Sequence, residues 1–303
     1  MDGGGPAVHI PPVGYSRATG HGVVTMLFLE LAALCIVAVY IVSWTLGQSE
    51  PGHFLARLVL ISAASWIAEE SCILLYNFYS YSPAFGLFVG HVPVLVIVVW
   101  PVIIHSAWDL ASQLLCLSRR LVPLAAAAIV CTDASLIEPV AVNAGLWSWN
   151  EPGIFSVPPI GILGWAYFSF FCIFLLEPGS RPNAMNQRHL LVPVLPVIGT
   201  HLLLLGTWWG ALRWVNIPVD PTLAAGAVWA LSVLSVYAIL RHRMGVHVER
   251  KTLLLRLPAA LLFFALLLSK AGGSTLLVVY AAAFVPPYLT LIAQQHCGGW
   301  GPC

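Results

Sequence analysis

Nine apolar runs, most of them close to 20 residues long, occupy most of this chain. They fall near 23–46, 54–76, 86–106, 121–142, 160–176, 189–212, 220–240, 252–270 and 274–293. About 20 residues of helix cross a hydrocarbon core of about 30 Å. In lipid every backbone N–H and C=O needs a partner inside the protein, and a helix supplies these within one segment. Composition leads to the same reading. Of 303 residues, 59% are hydrophobic and 8% are charged, against about 25% charged in soluble domains. Such a chain cannot cover a water-facing surface. The expected fold is therefore all-α: a polytopic integral membrane helical bundle of about nine transmembrane helices, or eight. The last two runs are separated only by Ala271-Gly272-Gly273, which reads as a tight helical hairpin or as one broken, re-entrant element. A single transmembrane domain at 23–293 is expected between flexible tails at 1–22 and 294–303, with no internal repeat.

The Lys and Arg residues set an orientation. With nine spans, Arg57, Arg119, Arg120, Arg181, Arg188, Arg241, Arg243, Arg250, Lys251 and Arg256 fall on one side. Arg17, Arg213 and Lys270 fall on the other. This places the N-terminus outside and most Arg-rich loops in the cytoplasm, in a membrane read as a bacterial inner membrane. The net charge of +1 and the lack of a dense basic run argue against nucleic acid as a partner. The N-terminus has no basic stretch before the first run and does not read as a cleaved signal peptide. Cys35, Cys72, Cys116, Cys131 and Cys172 read as small hydrophobes, and Cys297 and Cys303 as part of a frayed tail.

The acids carry the chemical signal. Glu30, Glu69, Glu70, Asp133 and Glu138 lie in spans 1, 2 and 4, and counting along each helix at about 1.5 Å per residue places them roughly 6–14 Å below the outer surface. His91, five residues into the expected span 3, joins them. Each carboxylate in lipid costs at least about 2.5–3.5 kcal/mol, so a layer of five needs a reason. Structural bonding between helices is one. A shared polar cavity is another, in which a protonated acid, shielded from water, is a general acid. Glu69 and Glu70 are about 100° apart on a helix, so they are not expected to face one point. Glu138-Pro139 also reads as a kink.

The loops after spans 2 and 4 hold Tyr76-Asn77-Phe78-Tyr79-Ser80-Tyr81 and Gly145-Leu146-Trp147-Ser148-Trp149. Such rings form an interfacial belt, and their faces also stabilise a cation. His105 and Asp109 read as a polar pair, His201 as a satisfied buried histidine, and His242 and His247 as solvated. No metal-binding, phosphate-binding or haem-attachment motif is present. No metal and no cofactor are expected.

One stretch goes further. Asp133-Ala-Ser-Leu-Ile-Glu138-Pro139, then Gly145-Leu-Trp147-Ser-Trp149, then Gly153 to Val157-Pro158 and Gly164-Trp165 resembles the carotenoid biosynthesis membrane protein family. That family includes the bisanhydrobacterioruberin and 1',2'-type carotenoid hydratases. Glu69-Glu70 to Tyr81, then His91-Val92-Pro93 and Trp100, resembles its earlier elements in the same order. The resemblance covers roughly 60–170. Three departures stand out: Glu138 replaces Asp, Phe155-Ser156-Val157 replaces aromatic-Gly-Val, and the polar residue expected after Val-Pro is missing at Pro159-Ile160-Gly161-Ile162.

The leading expectation is a membrane hydratase of carotenoid or terpenoid biosynthesis, which protonates a polyisoprenoid double bond and adds water. Glu69, Glu70, Asp133 and Glu138 are the catalytic candidates. Glu30, Tyr81, His91, Trp100, Asn143, Trp147, Trp149 and Trp165 are the substrate-binding candidates. The partner is a lipophilic isoprenoid taken from the membrane lipid. A proton-initiated cyclase is the alternative within enzymes, and a proton-coupled carrier is the alternative outside them.

Overall fold

The computed structural model describes residues 20–114, 119–177, 187–241, 248–270 and 274–297. Most of both tails, Cys116, Arg181, His242, Arg243, His247 and Cys303 lie outside the described residues. Among those described, nine helical stretches are long and apolar enough to cross a membrane. Eight spans are built on α1 (Gly20–Thr45), α2 (Pro51–Tyr76), α3 (Val94–Leu114), α4 (Val122–Asn143), α5 (Pro159–Leu176), α6 (Leu195–Thr207) with α7 (Arg213–Val215), α8 (Pro221–Arg241) and α9 (Arg250–Lys270). The ninth combines α10 (Thr275–Ala282) and α11 (Val285–Cys297). The last two apolar runs are thus two elements, each long enough to span. The fold is an all-α polytopic bundle.

Small residues let the central helices meet. Ala64 of α2, Ala107 of α3 and Ala126 and Ala134 of α4 have no exposed surface. Close approach through small side chains drives association where lipid removes the hydrophobic incentive. Ile61, Trp100, Ile104, Val130, Phe168 and Cys172 complete the main core. Leu231, Val233 and Leu234 of α8 face outward, as lipid allows.

Two prolines interrupt the central helices, and each freed carbonyl finds a hydroxyl. Pro139 has no N–H to give to the carbonyl four residues back, and the Ser135 carbonyl instead accepts from Tyr280 Oη at 2.8 Å. Pro101 frees the Ile97 carbonyl in the same way, and Ser65 Oγ, which donates to the Ser62 carbonyl at 2.9 Å, shares its proton with it at a longer 3.4 Å. These bonds tie α10 to α4 and α2 to α3.

One expected span is displaced. The run near 86–106 was read as span 3, but α3 begins at Val94. Residues 79–93 instead form β1 (Tyr79–Tyr81), β2 (Phe88–Val89) and β3 (Val92–Pro93). Gly90 turns the β2–β3 hairpin at φ 63°, a conformation glycine adopts freely. His91 is therefore in a hairpin turn and not inside a helix. A second strand pair joins the two aromatic loops: β1 runs antiparallel to β4 (Trp147–Trp149), with Tyr79 opposite Trp149 and Tyr81 opposite Trp147. Beyond the ladder, Asn150 N–H donates to the Phe78 carbonyl at 2.8 Å and Ser82 N–H to the Leu146 carbonyl at 2.9 Å.

Candidate active site

Glu69 and Glu138 sit on the wall of one cavity of about 490 Å³. Glu69 is two turns from the end of α2, and Glu138 is one turn and a half from the end of α4. Both helices run toward the β1–β4 ladder, which returns its aromatic side chains onto them.

Each carboxylate accepts three hydrogen bonds from aromatic side chains. Glu69 Oε2 accepts from Tyr79 Oη and from Tyr81 Oη, the latter at 2.8 Å, and Oε1 accepts from Trp100 Nε1 at 2.9 Å. Glu138 Oε2 accepts from Trp147 Nε1 at 2.7 Å and Trp149 Nε1 at 2.9 Å, and Oε1 from Trp165 Nε1 at 2.8 Å. Hydrogen bonds to a charged group contribute about 1.5–3 kcal/mol each, so three of them offset much of the cost of burial. A carboxylate has about four acceptor sites. Each therefore keeps one, and on both residues it lies on Oε1.

The six donors also pair across the site. Tyr81 meets Trp147 at 5.9 Å between ring centroids, Tyr79 meets Trp149 at 4.7 Å, and Trp100 meets Trp165 at 4.6 Å. Every pair joins one donor of Glu69 to one donor of Glu138. Burial first, and then the Glu69 carboxylate, push the phenols of Tyr79 and Tyr81 well above the usual range. Both therefore stay protonated and can donate. Gly161 makes room for this cage, since a Cβ there would lie 2.5 Å from the Trp149 ring.

The two half-sites are copies of one pattern. Each has a glutamate on a helix, an aromatic-Ser-aromatic strand (Tyr79-Ser80-Tyr81, Trp147-Ser148-Trp149), a Val-Pro (Val92-Pro93, Val157-Pro158) and a tryptophan seven residues after that proline. The turns before Val-Pro also correspond: Val89 bridges Val92, and Ile154 bridges Val157. An internal repeat is thus present where none was expected from the sequence. Its signal was the aromatic-Ser-aromatic triplet followed by Val-Pro. In the second copy Ser156 has a φ of 67°, at the position where the resemblance gives Gly.

The other expected residues go elsewhere. Glu70 points away from the cavity, accepting from His91 N–H at 2.7 Å and contacting His91 Nδ1 at 2.7 Å. The His91 side chain is 60% exposed. Glu30 is buried, and both its oxygens accept from Gly86 N–H, at 3.1 and 3.0 Å, which ties the hairpin loop to α1. Asn143 is exposed at the end of α4. Asp133 lines the same cavity as Glu138 but is paired with Arg256 at 2.5 Å. Arg256 was counted with the basic side, and the structure places it six residues into α9, its side chain 13% exposed and turned to Asp133. Its short distance from the Arg250-Lys251 cluster in sequence hid this, and only its position within an apolar run marked it out. His105 and Asp109 do not pair with each other: His105 Nδ1 bonds to Tyr40 Oη at 2.7 Å, and Asp109 accepts from Thr252 at 2.5 Å. His201 bonds to Ser71 at 2.8 Å and Tyr76 at 2.9 Å, the satisfied histidine that was expected.

No curated protein and no solved structure matches this chain. A family model described as carotenoid biosynthesis protein matches residues 22–231. Those residues hold both glutamates and all six donors. The chain belongs to the carotenoid biosynthesis protein family.

Proposed function

We propose that this member of the family is a hydratase that protonates a trisubstituted double bond of a polyisoprenoid and adds water to the resulting tertiary cation. The observation that carries this reading is the pair of carboxylates, each bound by three aromatic donors, on the wall of an otherwise largely apolar cavity. Olefin hydration needs an acid kept from bulk water, a counter-charge for the cation and ring faces to shield it. The acid's O–H bond breaks as a C–H bond forms. Water then adds to the cation, and its surplus proton restores the acid.

The donor chemistry divides the roles. Tryptophan N–H only donates, whereas a tyrosine hydroxyl donates or accepts. The three indoles that Glu138 accepts from cannot reverse, so they favour its charged form, which suits the anion that stabilises the cation. Glu69 has two tyrosine partners whose hydroxyls can turn to accept a hydrogen bond from its protonated form, which suits the general acid. Glu70 and Asp133 have other partners and take no part in this step. The substrate enters from the bilayer. With Arg256 removed from the cytoplasmic count, the basic residues divide nine against three, which still favours an N-terminus outside.

A cyclase is the second reading, favoured by Ile160 and Gly161 on the cavity wall, where an apolar surface offers no partner to a water. Mass spectrometry of isoprenoids from lycopene-producing cells, with and without the protein, separates the two. A gain of one water supports the hydratase. Unchanged mass with altered retention and absorption supports the cyclase. Unchanged pigment removes carotenes as substrate.

A further inference from the structure

The cavity holds a second polar station that the hydration step does not use. Arg256 Nη1 donates to Ser106 Oγ at 2.9 Å, and Nη2 to Asp133 Oδ2 at 2.5 Å and Tyr288 Oη at 3.1 Å. Tyr288 Oη donates to Asp133 Oδ1 at 3.1 Å. All four side chains lie on the wall of the cavity that holds Glu69 and Glu138. Arg256 and Tyr288 fall beyond the residues that the family model matches.

An ion pair this deep is a weak means of stabilisation, because desolvation offsets its attraction. Its remaining bonding capacity is more informative. Ser106 donates to the Ile103 carbonyl at 3.0 Å and accepts from Arg256, and Tyr288 both donates and accepts within the cluster, so both hydroxyl protons are used. A guanidinium has five N–H donors, of which these bonds use three, and a carboxylate has about four acceptor sites, of which Asp133 uses two. The side chains of Arg256 and Asp133 keep 13% and 18% of their surface exposed. The station therefore offers both a donor and an acceptor, and the ion pair carries no net charge. A carbonyl uses only the donor, and a carboxylate is repelled by Asp133. A hydroxyl oxygen uses both.

We propose that the Asp133–Arg256 station binds a hydroxyl oxygen in the cavity, either one already present on the isoprenoid substrate or that of a water molecule. The proposal rests on the hydratase reading for its substrate class. Asp133 and Glu138 are five residues apart on one helix, about 7.5 Å of rise, so the station is displaced along the cavity from the carboxylate proposed to stabilise the cation. Asp133 is thereby a binding residue and not a proton donor.

The test uses the full chain in phosphatidylcholine proteoliposomes with two acyclic C40 polyenes, one bearing a tertiary hydroxyl at one end and one without it. Turnover is followed by mass spectrometry, and binding by quenching of tryptophan fluorescence in wild type and in Glu69→Gln. If the oxygen is the substrate's, the hydroxylated polyene binds about tenfold tighter or more, and Asp133→Leu/Arg256→Leu makes the two equal. If it is water's, wild type binds both equally, and the double variant binds them unchanged but forms no water adduct. The milder Tyr288→Phe, which keeps the ion pair, shows the same change in smaller measure, so a misfolded double variant does not leave the matter open. Equal binding together with undiminished water addition in both variants would overturn the proposal. Loss of all turnover in wild type, with the binding preference intact, would overturn the hydratase reading and leave the station standing.

Discussion

The two half-sites share a plan and differ in one chemical respect. Glu69 is held by two phenols and one indole, and Glu138 by three indoles. The strand ladder pairs Tyr79 with Trp149 and Tyr81 with Trp147, so donors of the two carboxylates stand opposite one another. What remains different is whether the donors can reverse. A pattern whose turns differ in length and whose aromatic residues have diverged thus holds one carboxylate among donors that can reverse and one among donors that cannot.

Replacing the glutamates gives the largest effect. Glu69→Gln removes the proposed general acid and lowers turnover by about 10²–10⁴-fold, read as product per protein in lycopene-producing cells. Glu138→Gln leaves the acid in place but sets an amide N–H₂ against indole donors. It is expected to slow turnover and also to lower the stability of detergent-solubilised protein, because a buried donor then faces a donor. If Glu138→Gln is the more damaging to turnover while Glu69→Gln retains activity, the assigned roles are reversed.

The donors come next. Trp149→Phe and Tyr79→Phe each remove one bond to a carboxylate, a loss of about 1.5–3 kcal/mol, or roughly 10–150-fold in turnover if the bond is fully expressed in the transition state. The comparison between them is the sharper result. Tyr79→Phe leaves Glu69 one reversible partner, Tyr81, whereas Tyr79→Phe/Tyr81→Phe leaves none. The double variant is expected to lose more than the product of the two single losses. Strict additivity would show that reversal of the hydroxyls does not matter.

Gly161→Ala tests the cage with no change of donor. The new Cβ lies 2.5 Å from the Trp149 ring, so the indole has to shift away from Glu138. Turnover is expected to fall about tenfold, toward that of Trp149→Phe, with the Glu69 half intact. If Gly161→Ala and Trp149→Phe combine without further loss, both act through the same bond.

Much of the fold was legible because a membrane span is announced by length alone. The nine runs could be counted with no knowledge of packing, and the acids stood out against them. The failures have physical reasons. Leu87, Phe88 and Val89 are as apolar as a helix, but Gly86, Gly90 and Pro93 break it, and those residues form a hairpin over Trp66, whose Nε1 donates to the Val89 carbonyl at 3.1 Å. Arg256, inside the run 252–270, was counted only with the basic side because nothing in the chain near it indicates Asp133, 123 residues away. The repeat was hidden because tyrosine stands for tryptophan and the two turns differ in length. The pairing of Glu69 with Tyr79, Tyr81 and Trp100 needed the ladder register, which no local pattern records.

The smallest effect is expected at Glu70, next to the acid assigned the largest. Adjacent residues on a helix point about 100° apart, and here that turn separates the cavity from the protein surface. Glu70 meets a His91 side chain that is 60% exposed, and exposed pairs of this kind contribute about 0–1 kcal/mol. In Glu70→Gln the amide oxygen still accepts from His91 N–H. The amide nitrogen donates to Nδ1 in the tautomer that leaves this atom unprotonated, so both contacts survive without the charge. Turnover is expected to stay within about twofold of wild type, and thermal stability to shift by no more than about 1 kcal/mol. A loss comparable to that of Glu69→Gln would mean that the reacting face of α2 is the one turned toward the hairpin. The cavity reading would then have to give way to a site at the membrane surface.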